Sequence, residues 1–178
     1  MGTFLSTFLL TKSDPNIDIP DSELGLTKKE KGGIKQTWQV LKKDLKGTGV
    51  EVFVRFFTVY PDYQKLFRAF ADVPLSELKQ NKKLIAHATS VIYSLSSLVE
   101  SLDDVENLKE LTIKISESHL PRGVSKQQFA ELGKVIVEFF EEKLGKLLTP
   151  AAKTGWEKLL GVVASIAGEV AEEKQGKK

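Results

Sequence analysis

The stretch Leu84-Ile85-Ala86-His87-Ala88-Thr89-Ser90-Val91-Ile92-Tyr93-Ser94-Leu95-Ser96-Ser97-Leu98 decides how this chain reads. Leu84, His87, Ala88, Val91, Leu95 and Leu98 recur at intervals of three and four, so they share one face of an α-helix. A strand would alternate with a period of two, and this segment does not. One member of the stripe is an imidazole, set one turn before Val91. A histidine alone on such a face is more often a satisfied core side chain than a ligand, so its company in the sequence decides its meaning.

Upstream, Thr27-Lys28-Lys29-Glu30 has the form of a capping box and opens a helix. Ile34, Trp38, Leu41 and Leu45 make its stripe, which Gly47 and Gly49 interrupt. A second run carries Phe53, Phe56 and Phe57 and meets Pro61, which can begin a new turn but not continue the old one. Residues 67–76 are mixed, and Pro74 marks a loop or a short helix start. Downstream, Asp103 and Asp104 punctuate the pattern, and Leu108, Leu111 and Ile115 form a shorter face that ends near His119. Pro121 and Gly123 break the chain there. Ser125 to Gln128 is a second capping box, opening a helix with Phe129, Leu132, Ile136, Phe139 and Leu144. Thr149-Pro150 is a cap followed by proline at the first helical position. The last helix carries Trp156, Leu159, Leu160, Val163, Ile166 and Val170, then frays into a charged end. The predicted fold class is all-α with six or more helices. Residues 1–26, with Pro15, Pro20 and several aspartates, predict a flexible extension; 27–172 form one domain, and 173–178 a charged tail.

Composition narrows the function. The 178 residues suffice for one domain with a sizeable core. Twenty-six basic against 24 acidic residues give a net charge of +2, which offers no electrostatic reason to expect nucleic acid or an acidic substrate. With no cysteine, disulfides, thiolate metal sites and cysteine nucleophiles are excluded, and a reducing cytoplasm suits the chain. No run approaches the roughly 20 apolar residues that span a bilayer. Neither a phosphate-cradling glycine loop nor a Gly-x-Ser-x-Gly elbow is present, and the Asp103/Asp104 pair reads as helix punctuation rather than acid–base machinery. Met1 to Leu10 is mildly apolar but lacks the basic start and cleavage site of a secretory signal. It does match the myristoylation pattern Met-Gly-x-x-x-Ser through Gly2 and Ser6; an acylated end and an unmodified tail are both open readings. One such acyl chain gives only marginal, reversible membrane binding.

Pro61 precedes Phe67 by six residues, Phe67 precedes His87 by twenty, and His119 follows His87 by thirty-two. His119 itself lies in Ser116-Glu117-Ser118-His119-Leu120-Pro121-Arg122-Gly123. This constellation over roughly residues 27–172 resembles the globin family, and Phe70 to Leu78 and Ser118 to Lys126 are similar to arthropod intracellular globins. The resemblance implies a globin fold around haem b (iron protoporphyrin). It implies His119 as the proximal iron ligand, with its second ring nitrogen donating to a carbonyl near Ile115 or to the Ser118 hydroxyl. It implies His87 on the distal side, where its hydrogen bond favours oxygen over loss of superoxide. Phe53, Phe67, Phe70 and Val91 would line the distal side; Ile115, Val124, Phe129 and Leu132 the proximal side and haem edge; Arg122 would pair with a propionate or face solvent.

One departure matters. Ser90 stands where many globins carry a lysine or arginine that clamps a propionate. Without it the helix bearing His87 is freer to shift, and His87 is expected to ligate the iron itself when no gas is present. The implied function is reversible binding of oxygen and other diatomic gases, for storage or facilitated diffusion, in a monomer or homodimer. Alternatives are a haem redox enzyme acting on nitric oxide or nitrite, a gas or redox sensor signalling through the N-terminal extension, and a haem-free helical domain of globin shape.

Overall fold

The computed structural model describes residues 15–176, so the Gly2 acylation pattern and the mildly apolar Met1–Leu10 lie outside the described residues. Seven α-helices occur among them, with no strand. In chain order these are α1 (Lys28–Leu41), α2 (Leu45–Val59), α3 (Leu75–Leu78), α4 (Lys82–Glu100), α5 (Val105–His119), α6 (Lys126–Leu144) and α7 (Pro150–Gly176). Short 3-10 turns follow α1, α2, α5 and α6.

Both capping boxes form. The Thr27 hydroxyl accepts from the Glu30 N–H while the Glu30 carboxylate accepts from the Thr27 N–H, and Ser125 and Gln128 repeat the arrangement at α6. Asn81 caps α4, Asp104 caps α5, and the Thr149 hydroxyl accepts from Ala152 N–H at the start of α7. The first break differs from the expected one. It falls at a 3-10 turn over Lys42–Asp44, and Gly47 and Gly49 lie inside α2, because the Asp44 carboxylate accepts from the Gly47 N–H and restarts the helix there.

Helices α1, α5 and α6 pack around α7, while α2 crosses α4. The main core is centred on Trp38, Phe140 and Trp156, all fully buried, with ring centroids 5.7 Å apart for the two tryptophans and 5.1 Å for Phe140 and Trp156. Burying an indole N–H without a partner is costly, and neither is left so. Trp38 Nε1 donates to Ser96 Oγ at 3.1 Å, and Trp156 Nε1 to Thr37 Oγ1 at 2.9 Å.

The segment expected to be a flexible extension is, over its described part, packed onto this core. Leu24 and Leu26 are buried, Glu23 pairs with Lys109 of α5, and Lys158 of α7 donates to the Gly25 carbonyl. Lys158 also meets Glu30 at 2.8 Å. Burial alone would raise the Glu30 carboxyl's pKa, but hydrogen bonds from Lys158 and Thr27 outweigh it and hold it below the usual range. At the other end the charged tail is helical as far as Gly176, with Lys174 paired to Glu117.

A second, smaller core lies under the α2–α4 crossing and includes Phe53, Phe57, Phe70, Leu84 and Ala88. At Gly49 the helices touch backbone to side: a Cβ there would sit 2.8 Å from the Ala88 carbonyl oxygen. Gly49→Ala should therefore cost about 1–3 kcal/mol, because a packed helix and not a mobile side chain must yield. Gly32→Ala, where nothing lies within 4 Å of the added carbon, should stabilise slightly, as alanine does in a helix. Urea unfolding of the two variants checks the contrast; equal midpoints would mean the crossing is not tight.

Candidate functional site

The α2–α4 crossing, the C-terminal end of α5 and the start of α6 enclose a cavity of about 340 Å³. Its wall includes Phe53 from α2, Phe67 from the turn after it, His87 and Val91 from α4, Ile115 and His119 from α5, and Arg122, Val124, Phe129 and Leu132 beyond. Ten of the eleven residues expected at the site are thus on one cavity wall. Phe70 is the exception. It stacks behind Phe67, with centroids 5.1 Å apart, and lines an adjoining crevice that shares Phe67, His87, Arg122 and Val124 with the cavity.

His119 is the last residue of α5, directly before the 3-10 turn over Leu120–Arg122. Its Nδ1 lies 2.8 Å from the Ile115 carbonyl oxygen, one turn back, and 3.1 Å from the Ser118 hydroxyl. A carbonyl can only accept, so Nδ1 carries the proton and Nε2 keeps its lone pair. The Ser118 hydroxyl donates to the same carbonyl at 2.7 Å, which adds a second constraint on the group that orients the ring. Phe129 closes against the imidazole edge-on, with centroids 5.3 Å apart. Arg122, one turn on, donates to the Ser118 carbonyl and stands at the cavity mouth.

His87 meets a different environment. Phe53 and Phe67 contact its ring edge-to-face at 5.1 Å and 5.0 Å, and neither ring nitrogen has a hydrogen-bond partner among the described residues. Burial pushes its pKa down to about 4, helped by the nearby Arg122 cation. It is therefore neutral near pH 7, with one nitrogen able to donate and the other to accept or ligate.

The sign of the linkage follows. The unfolded chain binds a proton at residue 87 below about pH 6.5, but the folded chain resists it down to about 4. Stability of the haem-free protein should thus fall as pH drops through that window, by about 3 kcal/mol for this group alone. His87→Gln should remove that part of the acid slope, read as the difference between the two proteins' urea unfolding free energies at pH 7 and pH 4. Parallel slopes would mean the ring is not desolvated.

The donor set indicates what kind of metal suits the cavity. Among the described residues no group of three or more His, Cys, Asp or Glu could hold a metal ion. Two imidazoles lining one cavity, with no carboxylate among its lining residues, suit a metal that brings its own further ligands, and the apolar walls suit a flat macrocycle. The residues present fit haem. Sequence reasoning missed several lining groups: Phe56, Tyr63, Leu66, Ser94 and Gln128. It also missed three cations of the adjoining crevice, Lys65, Arg68 and Lys83, of which Lys83 lies one turn before His87.

Comparison with known proteins agrees. The family model described as Globin matches residues 50–167. A globin of Nerita albicilla is 33% identical over 141 residues, covering 79% of this chain and 90% of its own. The structure of a Drosophila melanogaster globin superposes with a TM-score of 0.73 at 31% identity, covering 80% of this chain and 93% of that one. A second Drosophila structure, of a hexa-coordinate haemoglobin whose description concerns cyanide binding and conformational transitions of the haem cavity, matches with a TM-score of 0.73 at 30% identity, over 80% and 93% of the two chains. The chain belongs to the globin family.

Proposed function

We propose that this globin holds haem b through His119 and binds oxygen and other diatomic gases reversibly on the His87 side, for storage or facilitated diffusion. The observation that carries the reading is the hydrogen bond from His119 Nδ1 to the Ile115 carbonyl, which leaves the Nε2 lone pair free on the wall of an apolar cavity. Haem, held by His119, would supply an iron that binds a diatomic gas. The chain's own groups do the rest. Ile115 and Ser118 fix the plane and tautomer of the His119 ring, and Phe129 limits its rotation. Phe53, Phe67, Val91 and Leu132 exclude water, which slows oxidation of a ferrous centre. His87, neutral and without a protein hydrogen-bond partner, is free either to donate to a polar gas or to offer its own lone pair.

The second option also belongs to the proposal: in the resting state His87 takes the sixth position. Two observations favour it. The ring's nitrogens are unsatisfied in an apolar setting, where a bond to a metal relieves the cost. A relative of 30% identity is described as hexa-coordinate. Arg122, which lines both the cavity and the crevice holding Lys83 and Arg68, would meet the haem carboxylates in place of a cation at Ser90. An intracellular site of action is a further part of the reading, and membrane association enters only if Gly2 is acylated, which mass spectrometry of the protein's N-terminus tests. No helix of the described residues is long and apolar enough to cross a membrane.

The test is a visible absorption spectrum of the reconstituted protein, oxidised, reduced without gas, and then exposed to oxygen and carbon monoxide. Haem absorption with split bands in the reduced, gas-free form is the expected result. A broad single band there would remove the six-coordinate resting state, and failure to take up haem would remove the whole reading.

A further inference from the structure

Between Lys83 and Glu100 the outward side of α4 carries no charge, although charged residues make up 28% of the chain. It presents Ala86, Thr89, Ser90, Tyr93, Ser94 and Ser97, and Tyr93 is 58% exposed. Protein interfaces have this composition at their centre, poor in charge and rich in tyrosine. The hydroxyls are already satisfied. Thr89, Ser90, Ser94 and Ser97 each donate to a carbonyl one turn back, at 2.7–3.2 Å, so covering them leaves no orphan donor.

Charge returns at both ends of α4, each time with the sign that the helix itself disfavours. Lys82 and Lys83 are its first two residues, no acid shares that turn, and neither ammonium meets a carboxylate among the described residues. Glu100 is its last residue, with no basic residue in the last turn. Cations at the positive end and an anion at the negative end both oppose the macrodipole. Glu100 pairs with Lys42 but keeps 64% of its side chain exposed, and Asp103 and Asp104 follow it, so that end stays acidic. Lys82, Tyr93 and Glu100 fall on one line along the helix, because eleven residues are about three turns and seven about two.

We propose that this face of α4 is the contact between two copies of the chain, which meet antiparallel about a two-fold axis. An axis level with residue 91, midway between Lys82 and Glu100, sets Lys82 of each copy against Glu100 of the other. Each carboxylate then lies near the N-terminal end of the facing helix and each ammonium near the C-terminal end, which offsets both mismatches with the dipole. The same axis sets Tyr93 of each copy against Thr89 and Ser90 of the other, with Ala86 beside them. These small side chains leave room for the ring and let the helices approach to about 8–10 Å. An anionic lipid surface would answer only the lysine end, whereas a two-fold supplies both signs from one sequence. One helix pair lies at the small end of specific interfaces, so the dimer should be weak, with a dissociation constant in the micromolar range or above. The contact does not depend on the haem reading.

Sedimentation velocity of the full chain, haem-loaded and haem-free, should show a monomer–dimer equilibrium between about 10 µM and 1 mM. Tyr93→Ala should weaken it at least about tenfold, since an aromatic anchor at the centre carries much of a small interface's energy. Lys82→Glu and Glu100→Lys each place like charges at both ends, and each should sediment as a monomer where the parent is dimeric. Mixed one to one, these two variants should pair again, because every end then meets its opposite. The double variant Lys82→Glu/Glu100→Lys should dimerise by itself. Residues 82, 93 and 100 are all exposed, and far-ultraviolet circular dichroism matching the parent checks that each variant folds. A parent that stays monomeric to about 1 mM would overturn the proposal, whether the face is bare or covered by a different protein. A dimer unmoved by Tyr93→Ala and by the charge reversals would overturn it as well, by placing the contact elsewhere. Charge-reversed chains that fail to pair when mixed would overturn the antiparallel arrangement.

Discussion

His119→Gly should fold normally and yet hold haem at least about 100-fold more weakly than the parent protein. Changes to groups that merely orient a metal-binding histidine cost about 10- to 100-fold, and this change removes the proposed ligand itself. The fold should survive because His119 ends its helix and is not part of either core; its ring contacts are Phe129 and the Ile115–Ser118 turn. Far-ultraviolet circular dichroism should match the parent while haem transfer to apomyoglobin becomes much faster. Free imidazole in the buffer, which fits the space the side chain leaves, should restore haem retention and the parent absorption bands. Retention of haem with an unchanged spectrum, before imidazole is added, would show that iron is held from elsewhere. A companion variant separates ligand from orienter: Ser118→Ala removes the one hydroxyl contact at the ring but leaves the Ile115 carbonyl, so its loss should stay within the 10- to 100-fold range.

Much of this architecture is legible in the sequence because the signals are local. Thr27/Glu30 and Ser125/Gln128 announce helix starts within four residues, and each forms as a capping box. His87 and His119 stand out as the only histidines, each on an inward helical face, and the cavity wall holds both. What the sequence hides depends on pairs far apart in the chain. Residues 15–26 look extended and polar, and Leu24 and Leu26 find something to bury against only in a core assembled from distant helices. Gly49 reads as a helix breaker, yet its role is to let α2 approach the Ala88 carbonyl. Phe70 sits three residues from Phe67 and looks equivalent, but the turn between them directs one ring to the cavity and places the other behind it. Tyr63 carries no signal until α6 brings Glu131 to its hydroxyl. A contact separated by sixty-eight residues leaves no periodicity to read.

His87→Leu should change the two gases by different amounts, and the difference isolates what the imidazole does. Leucine nearly matches histidine in bulk, and Phe53 and Phe67 already present it with apolar walls, so the variant should keep both fold and haem. Its reduced, gas-free spectrum should become a single broad band, because the side chain no longer offers a lone pair. If residue 87 fills the sixth position in 99% of resting molecules, only about 1% are competent for gas, and removing the competitor raises apparent affinity roughly 100-fold. Carbon monoxide is only weakly polar and should show nearly all of that gain. Oxygen gains the same factor but loses a hydrogen bond from His87, which at about 0.5–1.5 kcal/mol returns up to roughly tenfold. Carbon monoxide affinity should therefore rise more than oxygen affinity. His87→Gln, which keeps a donor but ligates iron poorly, should recover the oxygen loss without recovering the split bands. Equal gains for both gases would mean that His87 competes for the iron but makes no hydrogen bond. No gain for either would mean that the ring stays edge-on between Phe53 and Phe67 and never reaches the sixth position.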